Sequence, residues 1–349
     1  MMDRSIELIS YALLSSYKKR KVFDFKAEPL FGDASGRQYF RITFDEGSAI
    51  LMKVADVKPG EFGRGDSFFD FIAIRALFEE CGIKVPKIYS VMEDQKALLL
   101  EDLGDVTMFK MVESDRANKM KYVKSAVELL AKTQTALYKR ERFDSPADRR
   151  VFGTSLFMDE FYHFYEYMIA KRVYDRPFNH LWPKLEKKFK RISAELSKAP
   201  YFFSHRDFQS KNIMIKNGKS YLIDFQDALM APAVYDLVAL LRDSYIVLSD
   251  EEVEIMLKHF WNINGVAREL FSDYEFFERT FYIQTLQRKM KDAGRFIYLN
   301  QVKGKEWFIP YVVPTLGYVR STIIKLDMED LLDILGPYIP ELSPGDRKK

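Results

Sequence analysis

The sequence predicts an α+β protein of two lobes, with a small lobe rich in antiparallel β-strand ahead of a large helical lobe. Five short β-rich runs, most of them separated by turn residues, lie within residues 1–104. After residue 104 apolar residues recur mainly at helical spacing. The chain has 349 residues, 47% of them hydrophobic, which is enough for two packed lobes. We therefore expect an N-terminal β-rich lobe over 1–104 and a helical C-terminal lobe over 105–349.

In the first lobe, turn residues separate each pair of strands, and one segment with helical periodicity lies between the third and fourth strands. The expected elements are a helix over 5–20, strands over 26–32, 38–44 and 48–54, a helix over 67–81, and strands over 87–92 and 97–101. A hinge is expected near 101–105.

In the second lobe a short β-rich island interrupts the helical pattern at 201–224, and a frayed tail is expected at 343–349. The expected helices cover 116–139, 155–173, 179–198, 233–247, 251–262, 268–299, 305–322 and 328–336.

Composition excludes several classes of protein. The net charge of +3 is low for a nucleic-acid binder, and Cys81 alone can form neither an intrachain disulfide nor a cysteine-based zinc site. No secretory leader and no run of 18 apolar residues is found, so we expect a cytoplasmic location. We expect no nucleic-acid, membrane or obligatory protein partner.

Residues 204–212 carry the strongest chemical signal, because they contain the pattern H-R-D-x-x-x-x-N. Phosphoryl transfer to a hydroxyl group uses a carboxylate beside the attacking oxygen and a metal ion that holds the phosphates. Asp207 is therefore the candidate catalytic base, and the side-chain oxygen of Asn212 is a candidate Mg²⁺ ligand. The alternative is a hairpin with ordinary surface turns.

A second candidate metal ligand follows twelve residues after Asn212. Residues 213–219 have the pattern strand, turn, strand, which would return the chain beside its start. Asp224 would then face Asn212, and both supply the hard oxygen ligands that Mg²⁺ requires.

Candidate ATP contacts lie upstream of this motif. Lys53 lies between apolar neighbours on the third predicted strand, which suits a cation that holds phosphates. The turn at 32–36 lacks the ending of a Walker A loop, so it is either a plain glycine turn or a phosphate lid that uses Ser35 and Gly36. The hinge around Glu101 would offer backbone groups to adenine.

Together these motifs resemble protein kinases, but Asp224-Phe225-Gln226 stands where those have D-F-G, and no A-P-E signature follows. A short loop leads instead to a helix with an Asp-Leu pair. The chain thus resembles the aminoglycoside-phosphotransferase and choline-kinase superfamily, which implies a protein-kinase-like fold, ATP and Mg²⁺. By this resemblance His205 and Asp236 support the catalytic loop. One position departs from the family pattern, since Phe71 stands where relatives carry the glutamate that pairs with the strand lysine.

One branch of the superfamily is similar over about residues 30–320: the bacterial anomeric N-acetylmuramate/N-acetylglucosamine kinases of peptidoglycan recycling. The similar segments are 32–41, 222–228 together with 235–243, and 286–296. By this resemblance the acceptor is the anomeric hydroxyl of an amino sugar. Asp227 and Arg288 are candidate acceptor residues. Arg288 belongs to a cationic helix, which suits a lactyl carboxylate better than a polycationic aminoglycoside. The alternative for that helix is solvent exposure.

Three other functions stay open at this point. The chain could phosphorylate an aminoglycoside, choline or another small alcohol with the same fold. It could be a non-catalytic ATP-binding scaffold, although the presence of Lys53, Asp207, Asn212 and Asp224 argues against this. A protein kinase is disfavoured, because the activation segment is missing.

Overall fold

The structure is a computed structural model that describes residues 4–30, 37–54, 66–140, 142–172 and 180–343. Nine strands are found in these ranges: β1 Phe25–Leu30, β2 Arg37–Phe44, β3 Gly47–Val54, β4 Ile88–Met92, β5 Ala97–Glu101, β6 Tyr201–Ser204, β7 Ile213–Lys216, β8 Lys219–Leu222 and β9 Leu229–Pro232. Short 3₁₀ segments lie at Arg116–Asn118, Pro146–Arg149, Ser210–Asn212, Glu306–Tyr311 and Pro340–Leu342, and a π-helix lies at Tyr165–Ala170.

The same ranges contain twelve α-helices. They are α1 Arg4–Lys18, α2 Ser67–Glu80, α3 Met108–Ser114, α4 Lys119–Tyr138, α5 Thr154–Phe164, α6 Trp182–Leu196, α7 Tyr235–Leu241, α8 Asp250–Ile263, α9 Gly265–Leu270, α10 Tyr274–Lys303, α11 Val312–Lys325 and α12 Asp330–Leu335. Within the described ranges, no helix combines the length and the apolar character needed to cross a bilayer.

The chain forms two compact units, and the first contains residues 1–108, 144–146 and 211–227. Its centre is an antiparallel five-stranded sheet of order β1-β2-β3-β5-β4. Apolar residues of α1, including Ile9 and Leu13, pack on Leu51 and Leu99 of the sheet. The adjacent residues of β3 and β5 are also buried, so the central strands are covered on both faces.

The hairpin of β7 and β8 belongs to this first unit. The Leu222 N–H donates to the Lys84 carbonyl (2.9 Å), and the Ile215 N–H donates to the Val106 carbonyl (2.8 Å). The predicted boundary divides the sequence once, at residue 104. The observed first unit also includes later parts of the chain, because this hairpin packs with the residues around 84 and 106.

The second unit contains residues 109–143, 147–210 and 228–349. The 30-residue helix α10 is its longest element and packs against α5, α7 and α11. Asp273 caps the first turn of α10 by accepting a hydrogen bond from the Phe276 N–H (2.8 Å). Gly304 ends the helix in the left-handed conformation, with φ of 65°. The core of this unit is therefore organised around one long helix.

Candidate active site

The loop over residues 204–210, called the catalytic loop below, starts at the end of β6. Strand β6 pairs with β9, which fixes the position of Ser204. Arg206 has a φ of 75°, a left-handed conformation that is unfavourable for an arginine. Two hydrogen bonds hold it, because the Arg206 N–H donates to Ser204 Oγ (3.0 Å) and to Asp236 Oδ1 (3.0 Å). The backbone at this point is thus strained and tightly fixed.

Two buried aspartates anchor the two ends of the catalytic loop. Asp236 accepts hydrogen bonds from Ser204 Oγ (2.7 Å) and the His205 N–H (2.7 Å), besides the one from Arg206. Asp243 accepts a hydrogen bond from the Ser210 N–H (2.8 Å). Burial raises the pKa of both carboxyl groups, although these hydrogen bonds act in the opposite direction. The role of Asp243 was missed in the sequence, because its only signal there is its position seven residues after Asp236.

Asp207 lies between these anchors, and its side chain is 32% exposed. Its Oδ1 accepts hydrogen bonds from Arg288 Nη2 (3.3 Å) and Gln209 Nε2 (3.3 Å). Burial raises the pKa of Asp207, but the positive charges of Arg288, Lys291 and Arg206 outweigh that effect and hold the pKa below its ordinary value. Asp207 is thus ionised at neutral pH, which is the state in which a carboxylate can accept a proton.

Arg288 lies under the catalytic loop. Its side chain is 1% exposed, its Nη1 donates to the Arg206 carbonyl (2.9 Å), and its guanidinium stacks over the ring of Tyr235 at 4.9 Å. The neighbouring Lys289 is also buried and pairs with Asp292 (2.6 Å). The alternative of a solvent-exposed helix is therefore wrong for this part of α10. The contacts of Arg288 are with the loop that carries Asp207.

In the first unit, the β7–β8 hairpin positions the two candidate metal ligands. Its two-residue turn is Asn217-Gly218, with φ values of 51° and 69°, as in the I′ turns that favour Asn-Gly. The Ile223 N–H donates to the Asn212 carbonyl (3.1 Å), so the pairing of the two chain segments continues beyond the strands. Asp224 follows Ile223 directly in the chain, next to this backbone contact. Its φ of 62° is a second strained position.

The surroundings of Asp224 explain the residues that follow it. Phe225 is buried and stacks on Phe71 of α2, with ring centroids 4.8 Å apart. Gln226 Nε2 donates to Asp224 Oδ1 (2.9 Å) and makes a longer contact with Asp227 Oδ2 (3.4 Å). Phe71 thus packs against the segment that carries Asp224, which is a role in the core rather than a partnership with the strand lysine.

Arg37 also contacts Asp224, and the sequence did not assign it a role. Its Nη2 donates to Asp224 Oδ1 at 2.9 Å. The only signal in the sequence is its position directly after the turn at 32–36. Ser35 and Gly36, predicted to approach phosphate oxygens, lie outside the described residues.

Lys53 lies on β3, opposite Ala97 of β5, and is half-buried. Within the described part of the chain it forms no ion pair. Glu101 ends β5, where its side chain pairs with Lys216 (2.9 Å) and its N–H donates to the Lys87 carbonyl (2.8 Å). The side chain and the N–H of Glu101 are therefore both engaged within the first unit.

Asn212 and Asp224 fit a magnesium ion bound together with phosphates. Asp224 keeps 38% of its side chain exposed, and a carboxylate and an amide oxygen are suitable hard donors. Across the described residues, no three His, Cys, Asp or Glu side chains form a metal-binding group. Magnesium is typically held by one or two protein oxygens plus phosphates and water, so two ligands on the hairpin are sufficient.

Comparison with known proteins gives consistent results. A model of the phosphotransferase enzyme family matches residues 26–270. The N-acetylmuramate/N-acetylglucosamine kinase of Neisseria meningitidis serogroup B is 28% identical over 326 residues, which cover 91% of this chain and 91% of that protein. The protein of the same name from Pseudomonas putida is 25% identical, over 90% of this chain and 88% of its own length.

The fold is similar to solved kinases. A choline kinase from Cryptosporidium parvum Iowa II superposes with a TM-score of 0.64 at 13% identity, over 94% of this chain and 98% of that one. The predicted α+β, protein-kinase-like fold with an antiparallel N-terminal sheet is thereby confirmed.

Proposed function

Because the chain belongs to the phosphotransferase enzyme family and is a small-molecule kinase, we propose that it transfers the γ-phosphoryl group of ATP to the anomeric hydroxyl of N-acetylmuramate or N-acetylglucosamine. The acceptor is inferred from the relatives of that name, of which the Neisseria protein matches over nine-tenths of both chains. The reaction class rests on an ionised carboxylate, Asp207, held by Arg288 on the catalytic loop.

In the proposed reaction Asp207 accepts the proton of the attacking hydroxyl through its exposed carboxylate. Asp236 supports Asp207 by fixing the backbone of His205 and Arg206. The Asp207 carboxylate is therefore already ordered before the acceptor binds. Asp227 and Arg288 remain candidate acceptor residues, and for Arg288 the observed contacts favour a role in positioning Asp207 instead.

Asn212 and Asp224 would hold Mg²⁺, which neutralises phosphate charge when it is bound. Lys53 would pair with the α/β-phosphates, Ser35 and Gly36 would cover them, and the Glu101 carbonyl would meet adenine. We place the reaction in the cytoplasm, where ATP is supplied.

The test is ADP release by the purified protein with Mg·ATP and one acceptor at a time. We expect the two N-acetylated amino sugars to stimulate ADP release, and ³¹P NMR to show a phosphate on the anomeric carbon. Choline and an aminoglycoside serve as the comparison acceptors. A preference for either of these would refute the proposed acceptor.

The matched variant is Asp207→Asn, which keeps the size of the side chain and removes its basicity. Turnover should fall by roughly 10²–10⁴, the usual contribution of a positioned acid–base group, while ATP binding persists. Asp227→Asn is the control, because Asp227 has no assigned role in proton transfer. Near-normal turnover in Asp207→Asn would remove Asp207 from the mechanism.

A further inference from the structure

Arg37 is the first residue of β2, and its guanidinium is 7% exposed. Two of its donors are directed to defined oxygens. Nη2 donates to Asp224 Oδ1 at 2.9 Å, and Nη1 donates to Ser67 Oγ at 3.1 Å, on the first residue of α2. Asp224 lies 187 residues further along the chain, so this ion pair is a product of the fold and not of local sequence.

The same carboxylate oxygen would have to serve a metal ion. A divalent cation on Asp224 would lie within a few ångströms of a nearly buried guanidinium, where charges are poorly screened. Two such cations at one carboxylate repel each other, and further negative charge that arrives with the metal would offset this repulsion. The phosphates of a nucleotide carry that charge, and guanidinium groups bind phosphate oxygens well.

We propose that Arg37 couples metal binding to nucleotide binding. Without nucleotide, Arg37 occupies Asp224 and weakens the binding of the metal alone. When the nucleotide binds together with the metal, Arg37 transfers its hydrogen bond from Asp224 to a phosphate oxygen. This inference rests on the proposed function, because it takes Asp224 as a metal ligand.

Placement of Arg37 supports such a transfer. Its bond to Ser67 holds the guanidinium at the start of α2 while the other nitrogen changes partner. Gln226 Nε2 also donates to Asp224 Oδ1, at 2.9 Å, so Asp224 keeps a neutral donor after Arg37 leaves. A charged group is thereby exchanged without leaving the carboxylate unsatisfied, which limits the free-energy cost of the exchange.

The experiment measures Mn²⁺ binding by the loss of the free-ion signal in electron paramagnetic resonance, with and without ADP, so that no turnover is involved. In the parent protein we expect weak binding of Mn²⁺ alone and much tighter binding with ADP. In Arg37→Met, Mn²⁺ alone should bind about tenfold more tightly, because a charge-assisted hydrogen bond no longer competes for Asp224. The tightening caused by ADP should shrink by a similar factor.

Two further variants make the result decisive. Arg37→Gln is a second neutral replacement, and its amide can still donate a hydrogen bond to Ser67. If circular dichroism shows that Arg37→Met folds poorly, Arg37→Gln takes its place, and the same tighter binding of Mn²⁺ is expected. Arg75→Met removes an arginine of the same unit whose side chain is 13% exposed and pairs with Glu79 (3.0 Å). Since Arg75 has no contact with Asp224, Mn²⁺ binding should not change in that variant.

Asp224→Asn separates the two hypotheses. If it abolishes Mn²⁺ binding and the two neutral Arg37 variants bind Mn²⁺ alone no more tightly than the parent, the metal site stands and the coupling by Arg37 is refuted. If Asp224→Asn still binds Mn²⁺ as the parent does, the metal-ligand assignment fails, and the coupling fails with it.

Discussion

At the residue scale, Asp207 and Asp236 have different surroundings. Asp207 faces the guanidinium of Arg288, and the net effect of its neighbours is a pKa below the ordinary value. Asp236 is buried and receives hydrogen bonds from a hydroxyl and two backbone N–H groups, and burial raises its pKa. Asp207 is therefore ionised, as the proposed proton acceptor has to be, while Asp236 fixes the backbone.

The position of Arg288 gives a prediction that separates two roles for this residue. Replacing it by Met removes the charge-assisted hydrogen bond to Asp207, so turnover should fall by about tenfold to a hundredfold, the equivalent of roughly 1.5–3 kcal/mol. The KM for the acceptor should change little. Because Arg288 lowers the pKa of Asp207, its removal raises that pKa, and the acidic limb of the pH–rate profile should shift toward neutral pH.

The control for this prediction is Arg288→Lys, which keeps the charge and loses the planar fork. It should retain most of the parental pH profile while turnover still decreases. A large rise in the acceptor KM at unchanged turnover, in either variant, would instead support the direct contact with the acceptor that the sequence suggested.

At the scale of the elements, α10 can approach α5 closely only because residue 294 is a glycine. A Cβ at Gly294 would lie 2.8 Å from the Cα of Phe164 and 3.1 Å from the carbonyl oxygen of His163. Both atoms are backbone, so neither can move aside by a change of rotamer. We expect Gly294→Ala to lower the free energy of unfolding by about 1–3 kcal/mol, measured by urea denaturation.

Gly317 provides the matched control in α11, where a Cβ would meet no atom within 4 Å. There the helical preference of alanine acts alone, and Gly317→Ala should raise the free energy of unfolding by about 0.5–1 kcal/mol. Changes of opposite sign in the free energy of unfolding would confirm that the packing of α10, and not helix propensity, requires glycine at position 294. A stabilising Gly294→Ala would contradict the close approach.

The elements that the sequence predicted best are those whose conformation is determined by their own residues. The β7–β8 hairpin follows from an Asn-Gly turn between apolar runs, and its formation is confirmed. Strand β9 was missed, because its conformation comes from pairing with β6 and not from its own residues. The helix expected over 268–299 is two helices, α9 and α10, separated at the cap Asp273, a signal that was present in the sequence.

The site residues that the sequence revealed are likewise those whose signal is local in the sequence. The pattern H-R-D-x-x-x-x-N and the hairpin spacing drew attention to Asp207, Asn212 and Asp224 without any knowledge of the fold. Arg37 could not be found, since its partner is distant in sequence. The burial of Arg288 was also out of reach, because a helix rich in Arg and Lys usually lies at the surface.

At the scale of the whole molecule, a largely buried charge cluster lies on α10 in the second unit. Asp292 pairs with Lys289 (2.6 Å) and Lys291 (2.7 Å), and its contact with Arg288 is longer, at 3.9 Å. Burial raises the pKa of Asp292, but these cations outweigh it and hold the pKa well below the ordinary value. Removal of this single anion would leave three cations in one place.

We therefore predict that Asp292→Asn lowers the free energy of unfolding by about 3 kcal/mol at pH 7, the usual cost of breaking a buried ion pair by removing one partner. Asp333→Asn, an exposed change on α12, is the control and should stay within about 0.5 kcal/mol of the parent. Both are measured by urea denaturation between pH 8 and pH 3.

The pH dependence provides the stricter test. A carboxyl group whose pKa is depressed in the folded state stabilises the protein above its unfolded pKa, about 3.9 for aspartate, and loses this effect as the pH falls toward the folded value. The difference between the parent and Asp292→Asn should thus be constant from pH 8 to about pH 5 and should shrink below about pH 4. A difference that grows on acidification would mean that Asp292 is protonated in the folded protein, and that the cations of α10 are neutralised by another group.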